Sequence, residues 1–496
     1  MKNPILLMTA AFMTVSLWSC NDNDSYEPAL GIISTTLTPK GNAIAYNATV
    51  DQQTGEISNS DDPITWDVPD DAITKVNVKA IPTLGCTAYY GDIPFTDAGI
   101  DMDLTTPATI TVRNRSGASR SYHISAVRNN EAGQDESLVL KSTSFIGFPE
   151  GLIDYDITVF KGRFVATTVS LDGEQENYQL FESEDGTHWS EINIICNGDR
   201  PFVVGGEGAR MAVLNDRLIV FGGARTKGKD KYGNEPEVGE GWFGPAPEIR
   251  AFRVYSSADG VTFNDDTDDI VYTNTTGNVV SSMQLAGSYY EAMSIDGRLI
   301  IKSCYAPSFG MMQVKSGFIE TSDGINWTSI TPVCDDNSPL VSIKASSVFN
   351  FQGKIWMAGG FRNFISASMM VSKIFSSSDG ISWNYEGDLT GNLEGLMGAT
   401  IVANDEAALL FGGQLVTAGG NTLNGKIYRT TDGVVWEEIE SNPRYQGRRS
   451  PVIAKKDDIA WIFGGYKDLT KGNYGVPDGD EYYLDTWVKK LIKPQL

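Results

Sequence analysis

Ser183-Glu184-Asp185-Gly186-Thr187-His188-Trp189 is one of five copies of a phrase that recurs as Ser257-Ala258-Asp259-Gly260-Val261-Thr262-Phe263, Thr321-Ser322-Asp323-Gly324-Ile325-Asn326-Trp327, Ser377-Ser378-Asp379-Gly380-Ile381-Ser382-Trp383 and Thr430-Thr431-Asp432-Gly433-Val434-Val435-Trp436. An Asp-Gly pair between alternating apolar runs predicts a hairpin with a two-residue type I′ turn, because glycine accepts the positive φ such a turn demands. The Trp or Phe four residues after each Asp is a large apolar anchor suited to packing between neighbouring sheets. The Asp positions are separated by 74, 64, 56 and 53 residues, so the unit is repeated and its loops shorten along the chain.

A second signature precedes most of these hairpins: Leu218-Ile219-Val220-Phe221-Gly222-Gly223, Ile355-Trp356-Met357-Ala358-Gly359-Gly360, Ala408-Leu409-Leu410-Phe411-Gly412-Gly413 and Ala460-Trp461-Ile462-Phe463-Gly464-Gly465. An apolar strand ending in Gly-Gly resembles the second strand of a kelch blade, and the Asp-Gly hairpin resembles a shortened Asp-box. The resemblance implies a six-bladed β-propeller of four-stranded blades over residues 138–496. Asp485-Thr486-Trp487-Val488-Lys489-Lys490-Leu491 reads as the third strand of a sixth blade with too little chain after it for a fourth. The alternating segment Ser137 to Phe145 lacks a unit of its own, and is expected to complete the sixth blade and close the ring.

Upstream, Thr74-Lys75-Val76-Asn77-Val78-Lys79-Ala80 alternates strictly, and Ile110 to Arg113 with Tyr122 to Val127 flank a Gly-containing loop. These runs resemble small immunoglobulin-like sandwiches, which implies a β-sandwich over residues 31–128, followed by a polar linker at 129–137. The fold class expected is therefore all-β, an N-terminal β-sandwich followed by a six-bladed kelch-like propeller. The apolar run from Ile5 to Trp18 ends in Ser19-Cys20, the layout of a secretory signal. Leu17-Trp18-Ser19-Cys20 is similar to a bacterial lipobox, with Trp18 where a small residue is usual. The acidic stretch Asn21 to Ser25 resembles the tether of Bacteroidetes surface lipoproteins, so residues 1–20 are read as signal, Cys20 as the lipidated residue and 21–30 as tether. The localisation implied is the outer membrane, lipid-anchored and exposed at the cell surface.

A net charge of −24 excludes nucleic acid as a partner by repulsion of its phosphates. The two histidines of the chain, His123 and His188, cannot build a His-rich metal centre, and the arginine triad and Arg-Ile-Pro of sialidases are absent. No catalytic set, cofactor or metal is assigned; the acidic runs Asp265 to Asp269 and Asp478 to Glu481 match no defined calcium loop. After Cys20 four cysteines remain, Cys86, Cys196, Cys304 and Cys334, which allow three full pairings. Cys196 and Cys334 each fall seven residues after a repeat Trp, Cys304 and Cys334 are expected in one blade, and free buried thiols are expected.

The first strand of each blade should line the channel. Aligning the units places Asp156, Arg210, Glu291, Ser347, Thr400 and Ser450 at its start, with Arg449 beside the last. Carboxylates and guanidinium groups at one mouth can orient a sugar or acidic ligand through bidentate hydrogen bonds. The second-to-third loops share that face and add Trp242, Phe361 and Arg362. The expected function is binding of a glycan or glycoconjugate, or of a surface protein, by a monomer that meets the membrane through its lipid only. Alternatives are a sugar epimerase or mutarotase using Asp156 or Glu291, or a protein interaction scaffold.

Overall fold

The computed structural model describes residues 29–491 apart from 43, 66, 69, 129–136, 173–174, 198–201, 203–209, 226–239, 242–243, 246–249, 268–270, 274–278, 281–288, 305–316, 363–365 and 468–481. The signal run, Cys20, most of the tether, most of the linker and Trp242 fall outside the described residues. Among the described residues every regular element is a strand or a short 3-10 turn, and no helix is long and apolar enough to cross a membrane.

The chain divides into two compact units, the first made of Met1–Gly41, Ala45–Ile64 and Val68–Arg128 and the second of Asn129–Leu496 with the short segments Asn42–Ile44 and Thr65–Asp67. In the first, a nine-stranded sheet runs without a break in hydrogen bonding, yet strands from both of its halves contribute to a single core that includes Leu37, Val76, Val78, Ile110, Val112 and Ile124. The alternation read at Thr74 to Ala80 is realised as the strand Val76–Pro82, with Val76, Val78 and Ala80 inward and Lys79 and Ile81 outward. The expected hairpin is Ala108–Asn114 paired with Ser119–Ser125.

The second unit is a six-bladed β-propeller. Blade one consists of Leu152–Phe160, Arg163–Asp172, Gln175–Ser183 and Ser190–Glu191; blade two of Arg210–Leu214, Arg217–Arg225, Arg250–Ser257 and Thr262–Asp265. Blade three is Tyr289–Ile295, Arg298–Cys304, Gly317–Thr321 and Asn326–Ile330; blade four is Ser347–Phe351, Lys354–Ala358, Lys373–Ser377 and Ser382–Asp388. Blade five is Leu396–Ala403, Ala408–Thr417, Ile427–Thr430 and Glu437–Ile439. Blade six takes Val452–Lys456, Ile459–Tyr466 and Tyr482–Lys490 from the C-terminal end and Val139–Ser142 from the start of the unit. Val139 pairs with Val488 and Leu140 with Trp487, so the orphan strand closes the ring. Each first strand touches the first strand of the next blade, and that of blade six touches that of blade one.

Four strands per blade is an incomplete description. After the fourth strand the chain crosses and runs parallel along the outer edge of the next blade: Ile195–Asn197 on blade two, Val271–Thr273 on blade three and Val333–Cys334 on blade four. Ile146 does the same beside His188 in blade one. The added segment occupies an edge that would otherwise present unpaired backbone groups. Cys334 therefore lies beside Trp383 of blade four, outside the blade that holds Cys304, and Cys196 beside Phe263 of blade two.

The Asp-Gly phrases form hairpins, but the turn is not type I′. None of the five aspartates has positive φ; only the glycines do. In every copy the Asp Oδ1 accepts the backbone N–H groups of the second and third residues after it at 2.7–2.8 Å. The Ser or Thr two residues before the Asp accepts the glycine N–H at 2.8–2.9 Å. The side chains replace the backbone bond of a tight turn, which opens it to a wider loop. The anchors behave as read: Trp189, Phe263, Trp327 and Trp383 are buried, each in a cluster shared with the preceding blade, and Trp436 packs against the cluster shared by blades four and five. Burial of one such ring contributes about 1.5–3 kcal/mol.

Candidate functional site

The backbone registers fix which residues share the start of the first strand. Arg210, Ser347 and Thr400 pair with Phe221, Ala358 and Phe411, the residues before each Gly-Gly. In blade six that partner, Phe463, pairs with Val452, so Val452 and not Ser450 is the equivalent residue. Ser450 belongs two residues earlier, in a series with Ala345 and Gly398, all three at positive φ. A chain of bonds runs through them across three blades: Gly398 donates its N–H to the Ala345 carbonyl at 2.9 Å, and Ser450 to Gly398 at 2.8 Å.

Side chains at this level join neighbouring blades. Asp156 Oδ2 accepts the Met211 N–H of blade two at 2.8 Å, and Glu291 Oε1 accepts the Ser346 N–H beside blade four at 2.9 Å. The Ser347 hydroxyl donates to the Ala399 carbonyl at 2.8 Å and that of Thr400 to the Pro451 carbonyl at 2.6 Å. The buried Glu291 carboxylate also takes the Lys302 ammonium at 2.6 Å and the Ser346 hydroxyl at 2.6 Å, while Lys302 donates to Ser346 at 2.9 Å. Lys302 has no exposed side-chain surface, so its charge depends on Glu291.

Three of the expected residues converge at blades one, two and six. Asp154 and Asp156 raise the pKa of Arg210 against the opposing effect of burial, and Tyr466 and Tyr482 lie within its electrostatic reach. Burial pushes the Asp156 carboxyl up to about 6, although Arg210 and the Met211 amide act in the opposite direction. The Arg449 guanidinium sits over the Tyr466 ring at 5.0 Å and donates to Gln414 Oε1 at 3.1 Å. Tyr466 and Tyr482 stand 4.7 Å apart, and the Tyr482 hydroxyl donates to the Ile153 carbonyl at 2.5 Å. Both tyrosines flank the second-to-third connection of blade six, and Asp154 lies near the start of the first strand of blade one, which places the cluster on the loop face. Its contents are two carboxylates, two guanidinium groups and two phenol rings, of which Arg449 and Tyr482 are buried and Asp154, Asp156, Arg210 and Tyr466 are partly exposed.

Beside it lies a residue the sequence reading passed over. Arg448, fully buried, is held between the rings of Tyr445 at 4.2 Å and Tyr483 at 4.3 Å and gives Asp485 a bidentate bond at 2.6 and 3.0 Å. The signal available was the Arg448-Arg449 pair, but their opposite surroundings come from strands far apart in sequence.

Glu291, in blade three, is committed to its buried lysine and lies outside this cluster. Phe361 is not an exposed platform: it is 3% exposed and packs with Met397 and Val416, because a backbone bridge to Lys344 turns it inward. Arg362, the next residue, lines a cleft of about 460 Å³ between the second-to-third loop of blade four and the connection to blade five. Cys86, Cys196 and Cys334 form no disulfide, and of the three only Cys334 is buried as expected, Cys86 and Cys196 being partly exposed. Cys334, Asp335 and Asp336 lie close together, but Asp336 already pairs with Lys373 at 2.5 Å. In the acidic run at 265–269, Asp266 is buried and accepts the Ser256 hydroxyl.

No protein-family model matches this chain, and no curated protein matches it. Among solved structures, one titled "Structure of YjhT" matches 70% of this chain and 97% of its own, at 11% identity and a TM-score of 0.41. The class is defined by the strand registers themselves: a six-bladed propeller carrying a mixed-charge cluster on its loop face.

Proposed function

We propose that this protein is a lipid-anchored surface lipoprotein whose propeller binds a glycan or glycoconjugate on its loop face. In this reading Cys20 carries the lipid, the N-terminal unit is an immunoglobulin-like spacer, and the propeller is kelch-like and monomeric. The observation that carries the binding role is the convergence of Asp154, Asp156, Arg210 and Arg449 with Tyr466 and Tyr482. Fixed carboxylates and guanidinium groups beside aromatic faces suit the hydroxyls and flat apolar faces of sugars. A glycan array probed with the mature chain tests it, with Arg210→Ala as the control: binding that the variant loses supports the reading, and an empty array refutes it. Anchoring is tested separately by palmitate-analogue labelling, which Cys20→Ala should abolish.

A second reading, a sugar epimerase or mutarotase, is favoured by one observation. Burial pushes the Asp156 carboxyl up to about 6, where an acid or base of a neutral-pH reaction belongs. Exchange between anomers of free sugars, followed by NMR with the protein present, should then depend on Asp156 and vanish in Asp156→Asn.

A further inference from the structure

We infer that the cleft between the second-to-third loop of blade four and the connection to blade five takes the carboxylate of an acidic sugar, a uronic acid unit of the glycan; this rests on the glycan-binding reading above. The cleft is bounded by Arg362, Met370, Lys373, Asp388, Leu389 and Glu394, and at about 460 Å³ it is of the size that holds one or two sugar rings. It opens on the loop face, since residues 361–372 connect the second and third strands of blade four and residues 389–395 connect blade four to blade five.

Its polar frame is fixed before any ligand arrives. Lys373 donates to Asp336 at 2.5 Å and to Ser338 at 3.0 Å and sits over the Tyr385 ring at 5.2 Å. The Tyr385 hydroxyl donates to Asp388 Oδ2 at 2.8 Å, and the Leu389 N–H is held by the Ser372 carbonyl at 2.6 Å. Two charges in the lining stand apart from this frame. Among the described residues neither the partly exposed Arg362 nor the exposed Glu394 has a side-chain hydrogen bond or ion pair, and they do not pair with each other.

That combination selects the ligand. An unpaired guanidinium lining a cleft calls for a planar anion that accepts two parallel N–H bonds, which is a carboxylate. Asp388 and Glu394 in the same lining repel a doubly charged phosphate more strongly than a singly charged carboxylate, and accept hydrogen bonds from hydroxyl groups. Met370 and Leu389 offer apolar surface to a ring face. A single carboxylate on a polyhydroxylated ring meets all three demands, whereas a neutral sugar leaves Arg362 unmatched.

The test compares short oligomers of galacturonate and of glucuronate with their methyl esters, which keep the hydroxyls and lose the charge. Calorimetry with the whole mature chain should show at least tenfold tighter binding of one free acid than of its ester. Arg362→Ala should erase that preference without changing the melting temperature, Arg362→Lys should restore only part of it, and Glu394→Gln should weaken the acid and the ester alike. Equal binding of acid and ester, or a preference that survives Arg362→Ala, would overturn the inference while leaving the glycan-binding reading intact. Failure of every sugar on the array and in the calorimeter would overturn both.

Discussion

Gly433 in the blade-five turn lies against the indole of Trp356 in blade four, so closely that a Cβ added to it would come within 2.6 Å of the ring. Gly186 stands in the same relation to Trp461 of blade six, at 2.8 Å. The carbonyls of these turns are also bonded by the preceding blade: Arg163 donates to Asp259, Asn215 to Ser322, Arg298 to Asp379, Gln352 to Thr431 and Lys456 to Glu184, at 2.8–3.1 Å. Asn404 reaches the Leu491 carbonyl at 2.9 Å where blade six has no such turn. The repeated phrase is thus a fitting between blades. Gly433→Ala combines overpacking with a strained φ and should lower stability by about 2–4 kcal/mol. Gly353→Ala, at φ +71° with nothing within 4 Å, should cost only about 1 kcal/mol. Denaturant melts of the two variants check this, and equal losses would remove the packing role.

Ring closure rests on four residues, Val139–Ser142, bound along the last strand. Leu138 is buried in the core shared by blades five and six, and the Asn442 side-chain amide donates to its carbonyl at 3.0 Å. A chain beginning at Gly147 exposes the Tyr482–Lys490 edge and empties that corner of the core. It should melt without cooperativity or aggregate, as read by calorimetry and sedimentation. A soluble monomer with the melting temperature of the intact chain would show that closure contributes nothing.

The architecture was legible because its signals are local. Asp-Gly turns, Gly-Gly strand ends and anchors at fixed offsets each report on a few consecutive residues, and their count gave six blades with one strand missing. The interior of the site was legible only in part, because its geometry comes from contacts between blades. Ser450 misled the alignment by two residues, since a non-glycine residue at φ +49° bends the chain where a strand was expected to begin. Phe361 follows Gly360 in a loop, as an exposed aromatic would, yet its burial is decided by Met397 and Val416 of the next blade. The parallel fifth segments carry no signature of their own: Cys196 and Cys334 flag two of them, but a cysteine seven residues past a Trp says nothing of which blade it joins.

Acid should loosen the propeller through its turns. The amides of Thr262 and Val261 hold the Asp259 carboxyl well below the usual carboxylate range, and hydrogen bonds outweigh burial to lower Asp323, Asp379 and Asp432. A carboxyl whose pKa is lowered by folding contributes stability that is complete above its unfolded value, about 4, and lost as pH falls below it. Asp156 has the opposite sign: with its pKa raised to about 6, its contribution is complete at low pH and lost as pH rises through that value. Melting temperature should therefore fall below pH ~4 and decline again from ~4 to ~6. Asp156→Asn should flatten the second decline, and Asp259→Asn should reduce the first.

Function should divide the propeller by face. The cluster of Asp154, Asp156, Arg210, Arg449, Tyr466 and Tyr482 lies where the second-to-third and blade-to-blade connections emerge, and the Asp-Gly turns lie at the opposite ends of the strands. Arg210 is the cation that Asp154 and Asp156 share, so its removal leaves two carboxylates facing each other and a ligand anion or hydroxyl without its donor. For any glycan found to bind, Arg210→Ala should weaken affinity at least tenfold, about 1.4 kcal/mol or more. Trp242→Ala, in the second-to-third connection of blade two, should cost about 2 kcal/mol if that ring forms the platform for the sugar face. Thr187→Ala and Ser382→Ala change only turn-face side chains and should leave affinity alone. Titration calorimetry on the four variants, with melting temperatures as the control for folding, decides the assignment: loss of binding in the turn variants with retention in Arg210→Ala would move the site to the other end of the channel.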